Sequence, residues 1–326
     1  MSILLQQVFF VIALSIAAFL VSKRVRRISS NIKLGKPVAR FDNQPARLKA
    51  MLLIAFGQKK MFDRPLVGFM HFIIYAGFLL INIEVLEIIL DGILGTHRLF
   101  APILGASFYG FLISFFEFLA VGVIAVCVVF LIRRNVLKID RFWKAEMTAW
   151  PRMDANLILT IEILLMIAIL AMNAADSVLQ SRGAEHYTQA GFFAFSAMIV
   201  PVFQNLGETT LIAIERIGWW FHILGIMGFA LYVTYSKHLH IFLAFPNTYF
   251  SNLNPSGRFD NMAAVTKEVK LALGLMEDDG VDSGDVKFGA KEITDLTWKN
   301  LMDAYACTEC GRCTSQCPAN QTGRKL

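Results

Sequence analysis

The sequence predicts an all-α protein: a five-helix transmembrane bundle followed by a short helical segment rich in cysteine. Three observations carry this expectation. The chain of 326 residues is 56% hydrophobic and only 17% charged, against roughly 25% charged residues in an average soluble domain. Its apolar residues gather into five runs of about 20 residues or more, the length a bilayer requires. Four of its five cysteines fall between Cys307 and Cys317, while Cys127 lies alone in an apolar run and reads as an ordinary small core residue.

The five runs are placed near 3–22, 66–90, 107–132, 155–175 and 217–243. A sixth stretch, 189–203, is short and carries Pro201, which suits a re-entrant or outer-face helix. Basic residues set the orientation, because cytoplasmic loops are enriched in Lys and Arg. The connection 23–65 carries twelve (Lys23, Arg24, Arg26, Arg27, Lys33, Lys36, Arg40, Arg47, Lys49, Lys59, Lys60 and Arg64). The connection after the third run adds six (Arg133, Arg134, Lys138, Arg141, Lys144 and Arg152), whereas 91–106 and 176–216 hold only Arg98, Arg182 and Arg216. The N-terminus is therefore expected outside and the C-terminus in the cytoplasm. The net charge of +6 is explained by topology and needs no nucleic acid. The first run has no basic residues before it and many after it, the pattern of a retained anchor rather than a cleaved signal.

Residues 1–245 are read as the transmembrane domain and 246–290 as a cytoplasmic linker, with an acidic, Gly-containing stretch at 277–285. Residues 291–326 form the cysteine segment, entered through a helix expected over 292–306 with Leu296, Leu301, Met302 and Tyr305 on or near one face. The motif itself is Cys307-x2-Cys310-x2-Cys313-x3-Cys317-Pro318, a spacing that brings thiolates onto one 4Fe-4S cluster. Zinc sites more often use two separated pairs. In two-cluster modules the fourth cysteine serves the other cluster. Nine residues follow Cys317 and none is cysteine, so either all four bind one cluster or the segment is the first half of a two-cluster module in a longer protein, and the second is the expectation.

Within the apolar runs, His71 and His240 are expected at matching depth near the cytoplasmic face, where they suit the two axial positions of a b-type haem. If the last run is one helix, the eighteen residues from His222 to His240 make five whole turns, roughly 27 Å, with both rings on one face. His222 is then either a second haem ligand or a buried hydrogen-bonded histidine. His97 and His186 are expected at the surface. Glu84, Glu87, Glu117 and Glu162 lie at membrane depth, where a carboxylate is costly and faces a partner or a cavity. Glu84, Glu87 and Glu117 with His222 form a candidate proton-exchanging group for a quinone.

The segments FMHFIIYAGF and HILGIMGFALYVTYSKHLHIF resemble the cytochrome b (gamma) subunit of respiratory nitrate reductases. That resemblance implies five spans, an outer N-terminus and a haem at each face, the cytoplasmic-side one on His71 and His240. The sequence departs from it at Ile81, where the family carries a second histidine. The tail WKNLMDAYACTECGRCTSQCPANQTGRKL resembles the iron–sulfur part of heterodisulfide-reductase-like proteins. The combination resembles the (Fe-S)-binding, heterodisulfide-reductase-related oxidoreductases of bacterial inner membranes, some of which pass electrons from electron-transfer flavoprotein to menaquinone. It implies an electron path between a cytoplasmic redox protein and the quinone pool. Two other classes are a haem-free membrane anchor for a soluble iron–sulfur partner and a transporter. The transporter accounts for neither the cysteine motif nor the histidine spacing.

Overall fold

The computed structural model describes residues 3–255, 257–258, 261–277 and 289–323. In chain order its helices are α1 (Ile3–Ile32), α2 (Gln44–Met51), α3 (Pro65–Leu94), α4 (Phe100–Leu104), α5 (Ala106–Asn135), α6 (Trp150–Ser181) and α7 (Ser196–Phe203). They continue as α8 (Glu208–Val233), α9 (His240–Tyr249), α10 (Ala263–Ala272), α11 (Trp298–Tyr305), α12 (Arg312–Gln316) and α13 (Pro318–Gln321). Five of these, α1, α3, α5, α6 and α8, are long and apolar enough to cross a membrane. Helices suit that environment because they satisfy every backbone N–H and C=O within the segment. Most of the acidic stretch at 277–285 lies outside the described residues.

The chain divides into two compact units. The first comprises Met1–Lys23, Gln58–His238 and Thr308–Leu326. Here α6 packs against α5, α7 and α8, and α3 packs on α5. The central core is built largely from α5, with Tyr109, Ile113, Phe116, Ala120, Val123 and Cys127 all buried. Cys127 is thus the core residue expected of it. By contrast α1 is little buried along most of its apolar length. Phe10 anchors it, with its ring 5.5 Å from that of Trp219. A Cβ at Gly92 would come within 2.7 Å of the Phe10 ring, so the missing side chain is what lets α1 approach α3.

Two expectations about span ends are corrected. The helix of the first run continues through Lys23–Arg27 to Ile32, because nothing in that basic stretch breaks it and the charged side chains reach water from a helix as readily as from a loop. The fifth span is not one helix over 217–243. It ends at Val233, followed by a 3-10 turn at Lys237–Leu239 and a new helix starting at His240. The Asp154 carboxylate receives the Lys237 backbone N–H at 3.0 Å and the Tyr232 hydroxyl, and Ser236 Oγ accepts the His238 N–H at 3.0 Å. Those side chains satisfy groups that a continuing helix would have paired. The premise that His222 and His240 share one helix face therefore does not hold. The short stretch with Pro201 does form a helix, the eight-residue α7.

The second unit comprises Arg24–Gly57 and Leu239–Cys307. Its centre is Arg47, a residue that charge counting assigns to a solvated loop and that is fully buried. The guanidinium donates to Asp42 Oδ1 at 2.6 Å, to the Asp42 carbonyl at 2.7 Å, and to the carbonyls of Ser251 and Tyr249 at 2.9 and 3.3 Å. An isolated parallel bridge joins Lys36 to Thr297. The Trp298 indole N–H reaches the Val38 carbonyl at 3.0 Å. The helix expected over 292–306 begins only at Trp298. Thr297 is extended and caps it reciprocally with Asn300, and a 3-10 turn at Ile293–Asp295 precedes it. Leu301 and Met302 are buried, as the one-face pattern requires.

Candidate functional site

Three features bear on function. The cysteine motif begins at Cys307, just past the end of α11, and none of the five cysteines is disulfide-bonded. The loop then turns on two left-handed residues, Glu309 (φ 46°) and Gly311 (φ 66°). Gly311 starts α12, which carries Cys313; Cys317 directly precedes Pro318 at the start of α13. A Cβ on Gly311 would lie 2.7 Å from the Arg141 carbonyl oxygen, and Glu309 pairs with Lys237 at 3.0 Å. Within the first unit the part of the motif from Thr308 onward is thus seated on the basic connection between α5 and α6. Burial alone would raise the Cys310 thiol. Hydrogen bonds from the Arg312 backbone and Thr308, with the charges of Arg312 and Arg141, outweigh it and hold the thiol below its ordinary value. Stabilised thiolates are what iron binds, so this donor chemistry fits a cluster. Among the described residues, no group of three or more His, Cys, Asp or Glu side chains is gathered at metal-binding range.

The second feature is a buried polar network centred on Arg98. Arg98 donates to Asp176 at 2.6 Å, to Asn173 at 2.7 Å and to Tyr109 at 3.2 Å, and lies 3.9 Å from Glu84. Burial would depress the guanidinium, but Tyr109, Asp176 and Glu84 around it hold it well above the ordinary arginine range. The network brings Glu84, Glu87 and Glu117 to one region. Two of them are already engaged. Glu87 accepts the Tyr109 hydroxyl at 2.6 Å and the Phe100 N–H at 2.7 Å. Glu117 accepts the N–H groups of Phe195 and Ser196 at 2.9 and 3.2 Å, at the start of α7. Both carboxylates therefore satisfy helix-start donors that would otherwise be orphaned. His97 was expected at the surface, yet its side chain is buried with Nε2 3.2 Å from Asp176. His186 is exposed, as expected. The signal that sequence reasoning missed was Arg98, a cation flanked by spans carrying more acids than a bilayer tolerates unpaired.

The third feature is a cavity of about 70 Å³ walled by α3, α5, α6 and α8. His222 and Glu162 both line it, so His222 belongs to this cavity rather than to the lining of the smaller polar cavity that Glu84 and Glu87 share. Of the other histidines, His71 is the seventh residue of α3 and half-buried in the first unit, while His240 opens α9 in the second.

A helical bundle with five spans and a four-cysteine cluster motif defines the class of membrane-bound iron–sulfur proteins. The comparisons agree. The chain is 28% identical over 320 residues to a probable iron–sulfur-binding oxidoreductase, FadF, of Bacillus subtilis, covering 97% of this chain and 40% of that protein. It is 27% identical over 297 residues to the EtfAB:quinone oxidoreductase of Syntrophomonas wolfei, covering 89% of this chain and 37% of the relative. A 46-residue stretch is 39% identical to a probable membrane-anchored ferredoxin of Chromohalobacter salexigens, covering 14% of this chain and 7% of that one. The chain thus spans about two-fifths of the length of the B. subtilis and S. wolfei relatives. No family model and no solved structure matches it.

Proposed function

We propose that this chain is the membrane electron-transfer part of an iron–sulfur oxidoreductase, linking a cytoplasmic redox protein to the quinone pool. The observation that carries the reading is the cysteine motif, held on a tight turn against the basic α5–α6 connection with one thiol electrostatically lowered. Cys307, Cys310, Cys313 and Cys317 would hold a 4Fe-4S cluster, which when bound supplies a one-electron carrier. Arg312, Thr308 and Arg141 stabilise the thiolate form, and Gly311 permits the close approach to Arg141. His71 and His240 are the residues proposed for a b-type haem, on the strength of their sequence positions. The names of the relatives support an iron–sulfur oxidoreductase and, for one of them, a quinone and electron-transfer flavoprotein; menaquinone and electron-transfer flavoprotein are accordingly the substrate and partner proposed here. The basic connections 23–65 and 133–152 are proposed to face the cytoplasm of a bacterial inner membrane.

The test is the reduced-minus-oxidised visible spectrum of the purified protein, with haem, iron and labile sulfide quantified. Serine at any of the four cysteines should remove iron and sulfide. His240→Ala or His71→Ala should abolish a b-type signal. Iron and sulfide without haem in the wild type would leave the second reading, a haem-free anchor that docks a soluble iron–sulfur partner.

A further inference from the structure

The cavity walled by α3, α5, α6 and α8 is mostly apolar, and its polar lining residues are His222, Glu162 and Asn82. His222 is fully buried, and its Nδ1 lies 3.0 Å from the Leu165 carbonyl oxygen. A carbonyl oxygen only accepts, so Nδ1 carries the hydrogen and the neutral ring presents a lone pair at Nε2. That Nε2 is buried and has no hydrogen-bond partner. A buried acceptor left unpaired is costly, and such atoms in native structures call for a ligand, ion or water.

The remaining wall restricts what the ligand is. Among the described lining residues His222 is the one imidazole, and the α3 wall offers Gly77 and the buried apolar Ile81. A haem held between two imidazoles does not fit that set. Among the described residues no lysine or arginine lines the cavity, so a phosphate-bearing lipid headgroup finds no counter-charge there. Asn82 also lines it and is exposed on α3, in the middle of a helix long and apolar enough to span a membrane. One of its two amide N–H groups donates to the Phe78 carbonyl, which leaves the other N–H to donate and the side-chain oxygen to accept. A polar side chain on a lipid-facing surface is expensive and marks a route for something the bilayer carries. The volume, about 70 Å³, well exceeds the roughly 10–15 Å³ that a single water needs.

We propose that this cavity is the headgroup pocket for a hydroquinone entering from the bilayer, with His222 Nε2 accepting a hydrogen bond from its hydroxyl. The proposal rests on the quinone link stated above and deepens it. An acceptor at Nε2 suits a hydroxyl and not the carbonyl of the oxidised quinone, so the pocket favours the reduced form while the ring is neutral. The bound headgroup packs against Ile81 and Gly77, and Gly77 sets the width there: a Cβ on it would lie 2.7 Å from Val123.

The probe is 2-heptyl-4-hydroxyquinoline N-oxide, a hydroxyl-bearing quinol analogue, whose fluorescence quenching is titrated with the full chain purified in detergent. Its affinity should fall about tenfold or more in His222→Leu, the loss of one buried hydrogen bond. Ile81→Phe, which fills the cavity from the opposite wall and leaves His222 in place, should weaken binding similarly. Haem and iron content should stay at the wild-type level in both. Loss of haem in His222→Leu would overturn the proposal by making His222 a haem ligand. Wild-type affinity in Ile81→Phe would also overturn it, whatever the fate of His222→Leu. If the variants retain wild-type oxidation of menaquinol by the holoprotein, this pocket is wrong and the quinone link stands elsewhere. If the wild type neither binds the probe nor exchanges electrons with menaquinol, the quinone link itself fails.

Discussion

Replacing Arg98 with methionine tests the buried network most directly. The guanidinium is buried and makes bonds of 2.6 Å to Asp176, 2.7 Å to Asn173 and 3.2 Å to Tyr109. Without it, Asp176 keeps Gln180 at 3.0 Å and His97 at 3.2 Å, while Glu84 loses the cation 3.9 Å away. Breaking a buried ion pair by removing one partner costs about 3–5 kcal/mol, because the other charge stays buried. At roughly 2–4 °C per kcal/mol for a protein of this size class, the midpoint should fall by about 6–20 °C. Thermal unfolding in mild detergent, followed by fluorescence-detected size exclusion, measures this. The double variant Arg98→Met with Asp176→Asn removes the stranded charge and should recover part of the loss. A single-variant loss under about 1 kcal/mol, or strict additivity in the double, would show that the two charges are not coupled and refute the reasoning.

Arg47→Ala should destabilise the second unit by about 2–4 kcal/mol, since it removes four hydrogen bonds from a buried cation; faster proteolysis within 239–277 is the readout. Gly311→Ala places a Cβ 2.7 Å from the Arg141 carbonyl at φ 66°, at a cost of about 1–2 kcal/mol for the left-handed backbone alone. Iron incorporation should drop in that variant, and unchanged iron with an unchanged melting point would show that the turn relaxes easily. Gly92→Val should lower the melting temperature through about 1–3 kcal/mol of overpacking against Phe10, and Phe10→Ala in the same chain should relieve it.

Some of this protein was legible from its residues because the relevant physics is local. A run of 20 or more apolar residues forms a helix for want of any other way to satisfy its backbone in a bilayer, so α1, α3, α5, α6 and α8 follow from composition and length. The spacing from Cys307 to Cys317 likewise states its chemistry within eleven residues. What the sequence could not contain was partner choice across the chain. Arg47 and Arg98 count equally as loop cations, yet Asp42, Tyr249 and Ser251 bury the one, and Asp176, Asn173 and Tyr109 bury the other. The end of α8 at Val233 depends on Asp154, some 80 positions earlier, which takes the Tyr232 hydroxyl and the Lys237 N–H. His222 was visible as a histidine in a span, but only the Leu165 carbonyl beside Nδ1 decides which ring nitrogen faces the cavity. Sequence by itself determined where the helices and thiols are, because hydropathy and short spacings act over a few turns. Tertiary structure decided which charges are buried and which nitrogen is left to bind, because those depend on groups brought together from distant parts of the chain.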